Sequence, residues 1–449
     1  MKISRLAGVA ALLAAGAAQA QEAIKVNALI EIWYTQMTDN NLRLDSAAKP
    51  GGVSTYYDGL SSSRFAENGF TVKRSEVYLS QTISDSISWN LMFDPNNAVN
   101  TTTTLNPVLH DAVITWNLGK GFVLKAGQFK MPTTYEATIV AAKDIYFFDR
   151  NQTNRVFGDK RDRGAWLSYA YGDAKGWQGK LSVAVSNRTT DDGSGGKTAV
   201  DANAQKDFTV RYEGAFGSAH KFGGYYREGV TNLKDSAATQ NAPGTITSTW
   251  VTSAATTVTT FNTTWALGTT AQAVKDNKDK TTLQGLFYVY DTAKVHFDFE
   301  YATGLLGRRY PSLFAAFAPA AATATTTSTT ATQAPSREHL DQKFVGYTGT
   351  LIYKMGQHQL ALRYDTLNYN SGNKYYAAAN PYKLTTGDYS PKYTETTVGY
   401  NYLFVPGKYS VAKLKLDYII RSKNFLTPRT GQTGEQGGNS LVASLGIGF

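Results

Sequence analysis

Nine basic residues are so placed in this 449-residue chain that they could hold anions. Lys73 and Arg74 are adjacent within an alternating segment. Lys125 and Lys130 lie in "LKAGQFK", and Arg150, Arg155, Lys160 and Arg161 fall in a long irregular stretch, 131–162. Arg163 follows, where the next regular segment begins. A guanidinium offers a fork of donors and an ammonium a compact charge. Aimed into a narrow aqueous passage, either replaces part of an anion's hydration.

That chemistry needs no nucleophile, general base or metal. The five histidines, His110, His220, His296, His339 and His358, show no spacing that links them to a serine or completes a ligand set, and there is no cysteine. No glycine-rich loop follows a strand and opens a helix, and "GLLGRRY" (304–310) reads as the start of a loop. No catalytic residue, cofactor or metal is therefore expected, and an outer-membrane hydrolase is the weakest of the competing readings. The net charge of +10 is dispersed and adjacent basics come only in pairs, so nucleic acid is not an expected partner.

The elements that must position these cations are strands. Period-2 segments cover approximately 22–37, 69–83, 86–95, 108–118, 121–130, 163–172, 176–187, 206–216, 220–230, 281–291, 293–303, 341–354, 356–368, 392–404, 409–421 and 438–449. In "AKVHFDFEYA", Val295, Phe297, Phe299 and Tyr301 alternate with Lys294, His296, Asp298 and Glu300, giving one apolar and one wet face. The connections alternate in length. Turns such as "NLGKG" and "FVPGK" are short, whereas 38–68, 96–107, 131–162, 188–205, 231–280, 304–340, 369–391 and 422–437 are long. This pattern predicts a 16-stranded antiparallel transmembrane β-barrel with short periplasmic turns and long extracellular loops, whose membrane-facing residues are hidden from a mean hydropathy of −0.32.

The two ends of the chain agree. Residues 1–20 combine Lys2 and Arg5, an apolar run and "AQA", the form of a cleaved signal peptide, leaving 21–449 as the barrel. The last segment, "SLVASLGIGF", must pair with the first, because an open edge in hydrocarbon leaves unpaired backbone groups. Its terminal Phe449 is the expected signal to the barrel-assembly machinery of a bacterial outer membrane. Trp89, Trp116, Trp177, Tyr353, Phe404 and Phe449 fall on the apolar face near short turns, as an aromatic girdle would.

Sixteen strands enclose more space than side chains fill, so a water-filled channel for passive diffusion of small solutes is the default expectation. Loop 131–162 is the candidate constriction, with Tyr146, Phe147 and Phe148 packed on the wall and its basic charges facing the pore. Further inward charges are of both signs: Lys180, Arg211, Arg227, Lys294, Arg363, Lys413, Lys415 and Arg421 against Glu31, Asp94, Asp111, Glu213, Asp298, Glu300, Asp365 and Asp417. The basic loop and net charge tilt this mixed wall towards small inorganic anions. Two alternatives stand beside it. One is a general porin conducting sugars or cations; the other is an adhesion or structural barrel with a plugged lumen and binding Thr-rich loops (245–270, 320–336).

"FTVKRSEVYLSQTISDSISWNLMFD" (70–94) followed by "HDAVITWNLGKGFVLKAGQFKMPTTYE" (110–136) resembles the phosphate-selective porin O and P family. The likeness lies in the basic pair Lys73–Arg74, the Asp111-Ala112 start of the fourth strand and the Gly-Gln-Phe-Lys-x-Pro run containing Lys130. It implies a homotrimeric 16-stranded porin whose pore-lining cations confer anion preference, phosphate included. The residues alone leave open which of Lys73 and Arg74 faces the lumen. The apolar phase slips between Phe70–Val72 and Val77–Leu79, and a bulge would reconcile the two.

Overall fold

The computed structural model describes residues 22–38, 69–95, 109–158, 160–173, 176–187, 206–230, 239–241, 245–252, 259–266, 271–273, 280–311, 339–368, 371, 392–422 and 439–448. The expected signal segment 1–20, loop 320–336 and Phe449 lie outside them. Nine strands come first: β1 (Lys25–Met37), β2 (Gly69–Ser84), β3 (Ile87–Phe93), β4 (Leu109–Gly119), β5 (Phe122–Lys130), β6 (Arg161–Gly172), β7 (Trp177–Ser186), β8 (Asp207–Phe216) and β9 (His220–Val230). Next, β10 (Thr239–Asn241) pairs with β13 (Ala271–Ala273), and β11 (Thr245–Thr252) with β12 (Thr259–Ala266), as two small separate sheets. Then follow β14 (Lys280–Asp291), β15 (Val295–Pro311), β16 (His339–Met355), β17 (His358–Asn368), β18 (Lys392–Leu403), β19 (Ala412–Arg421) and β20 (Ser440–Gly448).

β1–β9 and β14–β20 close into one 16-stranded antiparallel barrel in chain order, matching the sixteen alternating segments of the sequence. The seam is β1 against β20, from Leu29 opposite Gly448 to Met37 opposite Ser440. Pairing overrides composition at "GLLGRRY". Gly304 to Tyr310 continue β15 against β16 instead of starting a loop, with a register irregularity between Leu306 and Tyr310. Within the Thr-rich stretch 245–270, β11 and β12 pair with each other, outside the barrel sheet.

Alternation assigns the faces, because successive strand side chains point to opposite sides. On β17, Leu360, Leu362 and Tyr364 are 51%, 45% and 41% exposed on the outside, whereas Gln359, Ala361, Arg363 and Asp365 are buried inside. Trp116, Trp177, Tyr353 and Phe404 are exposed on the outer face near short turns, and half-buried Trp89 donates from Nε1 to Gln81 Oε1 at 3.3 Å. Among the described residues no helix is long and apolar enough to cross a membrane, which says nothing of strands.

Two local devices adjust the alternation. Glu31 pairs with Arg74 but Ile32 with Val72, so Lys73 is the extra residue of a bulge in β2. Gly127, at φ +129°, sits so close to β4 that a Cβ would lie 2.0 Å from the Ala112 carbonyl oxygen. The glycine of the "GQFK" run is thus needed by the backbone.

Candidate functional site

The connection between β5 and β6, the third long loop, folds into the barrel. It leaves the wall through Met131, whose N–H donates to the Lys160 carbonyl at 2.9 Å. It then forms a helical turn, α1 (Tyr135–Thr138), a 3-10 turn at Ala142–Asp144 and a π turn at Asn154–Gly158. Met131, Tyr135, Ile145, Phe147, Phe148 and the run Asp149–Asn154 are all buried.

Irregular backbone in an interior needs partners for its polar groups, and the wall supplies them as charges. Carboxylates accept loop N–H groups. Glu300 takes that of Tyr135 (2.7 Å), Asp417 that of Phe148 (2.5 Å) and Asp365 that of Gln152. Cations donate to loop carbonyls: Arg363 to Asp149 (2.8 Å), Lys415 to Phe147 (2.8 Å), Lys413 to Ile145 (3.3 Å) and Arg211 to Thr133. Tyr225 and the Asn154 side-chain amide also donate to Glu300, at 3.1 and 2.7 Å. Much of the mixed inward charge expected from sequence is therefore a dock for this loop.

The wall is apolar where the loop's rings land. Phe147 and Phe148 pack among Ile352, Ala361, Ile419 and Val442, as the sequence led us to expect of that aromatic run. Phe157 stacks on Phe344 with centroids 3.7 Å apart, and Tyr135 on Phe287 at 5.2 Å. Glycines leave the space: a Cβ on Gly346 would meet Thr153, and one on Gly399 would meet Asp417 and approach Phe147. Sequence reasoning missed this bed. Its signal was present as apolar and glycine residues at inward positions of otherwise polar rows.

The predicted site residues divide into five groups. Lys73 and Arg74 both face the lumen because the bulge turns them together. Lys73 Nζ and Arg74 Nη2 each lie 3.5 Å from Asp149 of the loop, and Arg74 also pairs with Glu31. Arg150 and Arg155 correct the expectation that the loop shows its charges to the pore. Arg150 is 2% exposed and donates to the Val140 carbonyl at 2.9 Å; Arg155 lies 3.5 Å from Glu395 and over the Phe148 ring. A guanidinium packed inside the loop satisfies the chain's own oxygens.

Lys130 and Arg163 fall on the outer alternation of β5 and β6, Arg163 sharing its face with exposed Leu167 and Tyr169 and donating to Gln128 Oε1 at 3.2 Å. Arg163 thus shares the alternation of these two residues, four and six positions away on its own strand. Lys294 likewise leaves the inward set, standing exposed in the β14–β15 turn. Lys160 closes the base of the loop, and Arg161 reaches Asp111 at 2.7 Å.

Lys125 is the remaining candidate. It lies inside the barrel, half-buried, with Nζ 4.9 Å from the centroid of the Trp166 ring. Among the described residues no carboxylate lies within ion-pair distance of it. Lys180, on the same side, is 2.9 Å from Glu213.

One loop carboxyl is electrostatically unusual. Burial pushes Glu136 up to about 7, opposed by the guanidinium groups of Arg363 and Arg150 and by the Asn151 N–H, which donates to it at 2.6 Å. Among the described residues no cluster of His, Asp or Glu could hold a metal ion.

No family model matches the chain, and no curated protein matches it. The resemblance read in the sequence therefore rests on its motif residues alone. Solved structures do match across nearly the whole length. A loop L8 deletion mutant of OmpT, an outer membrane protein of Vibrio cholerae, is 11% identical over 95% of this chain and 99% of that one, with a TM-score of 0.49. The outer membrane channel DcaP of Acinetobacter baumannii is 11% identical over 95% and 97%, at 0.49. An anion-selective porin from Comamonas acidovorans is 10% identical over 95% and 99%, at 0.47. Likenesses this distant carry no argument about what this chain conducts.

Proposed function

We propose that this chain is a porin of the bacterial outer membrane, a water-filled channel for passive diffusion that prefers small anions. The apolar exterior supports the location: a large apolar side chain left in water forgoes about 1.5–3 kcal/mol, so a continuous outer belt of them fits hydrocarbon better than solvent. The same reading makes the short turns periplasmic and the long connections extracellular. It also takes residues 1–20 as a cleaved signal, Phe449 as the assembly signal, and the assembly as a homotrimer.

The observation that carries anion preference is the asymmetry of the lumen. The third loop and its dock neutralise one another along β8 and β14–β20. The opposite wall keeps Lys125 without a carboxylate partner among the described residues. Phosphate is one member of that class of anions, and the preference proposed is for the class. The test is the zero-current potential of purified protein in a planar bilayer under a KCl gradient. Anion sign is expected, reduced by Lys125→Glu and unchanged by Arg150→Gln; cation sign in the wild type would remove the preference.

A further inference from the structure

We propose that the open side of the lumen carries a site for organic anions that combine one carboxylate with a flat apolar body, and that Lys125 and Trp166 anchor it. The inference rests on the open-channel reading and adds the solute class. Lys125 Nζ lies on the Trp166 ring at 4.9 Å, and Trp166 packs against Phe129 at 5.8 Å within a cluster completed by Val113 and Met131. A ring face attracts an ammonium but does not neutralise it, so the full charge remains available to an anion. The same ring displaces part of the ammonium's water and sets apolar surface beside it.

Those two features select against inorganic phosphate and for an amphipathic carboxylate. A strongly hydrated oxyanion needs several converging donors to replace its water, and one ammonium beside an indole supplies one. An aromatic carboxylate gives up less hydration and covers apolar surface as it binds. Lys73 repeats the geometry over Trp33 at 4.5 Å, but it also lies 3.5 Å from Asp149, so its charge is already answered. The anchor is therefore Lys125.

The experiment uses the full chain in planar bilayers in KCl, with benzoate, acetate or phosphate added on one side. Benzoate is expected to reduce the KCl current at a concentration about tenfold below acetate, the ratio one aromatic ring pair supplies. Phosphate should be no better than acetate. Lys125→Gln should abolish the benzoate effect and Trp166→Leu should erase the benzoate–acetate difference. Trp166→Phe, which keeps a ring, should retain it. Equal block by benzoate and acetate, stronger block by phosphate, or an unchanged preference in Trp166→Leu would each overturn the site while KCl conductance still upholds the channel. Absence of any KCl current would instead overturn the channel reading, and this site with it.

Discussion

Glu31 is where the two ends of the barrel are fastened. Its side chain on β1 pairs with Arg74 of β2, accepts from Lys415 of β19 at 2.7 Å and from Ser444 of β20 at 2.9 Å, and is 2% exposed. Removing one partner of a buried ionic set leaves the others uncompensated, a loss of about 3–5 kcal/mol. Glu31→Gln should therefore lower the heat-unfolding midpoint in detergent, with Thr35→Ala on the same strand as an unaffected control. An unchanged midpoint would show that the seam is held by backbone pairing alone. The alternating row of β1 already marked Glu31 as inward. Its partners could not be read, because Lys415 lies 384 residues away and meets it only through closure. Arg163 is the opposite case: its type suggested a pore cation, while an even spacing from exposed Leu167 sets it on the outer alternation of β6.

At the scale of one element, the third loop was legible in part. Its length and its aromatic run implied burial, and Phe147 and Phe148 are buried. That its own arginines would turn inwards, and that wall charges would bind its backbone, was not legible, since both depend on the path of an irregular chain. Packing at Gly399 gives a direct test. A Cβ there would lie 2.5 Å from Asp417 Oδ1 and 3.5 Å from Phe147 Cδ1. Gly399→Leu should lift the loop and produce larger, noisier current steps; steps identical to wild type would show that the loop does not set the bore.

The loop should also respond to pH. Glu136 titrates in the fold at about 7, above its ordinary 4.5. The folded state thus binds more protons than the unfolded chain between these values, and stability falls as pH rises through that window. The unfolding midpoint should drop from pH 5 to pH 8 more steeply in the wild type than in Glu136→Gln. Parallel profiles would contradict this account of the buried carboxyl.

For the whole molecule, strand number, order and the alternation of short and long connections were all readable, because a barrel writes its geometry into a two-residue period. The slip at Lys73 was readable too, as a break in that period between Val72 and Val77, and the pairing confirms a bulge there. What the period does not carry is how far the lumen is filled. With the loop docked along β2, β8 and β14–β20, whether the barrel is narrowed or plugged turns on the wall that carries Lys125, Trp166 and Lys180. Single-channel recording of the purified wild-type protein in symmetric KCl addresses this most directly. The account predicts steady conducting steps at moderate voltage; a membrane that incorporates folded protein and carries no current would contradict it.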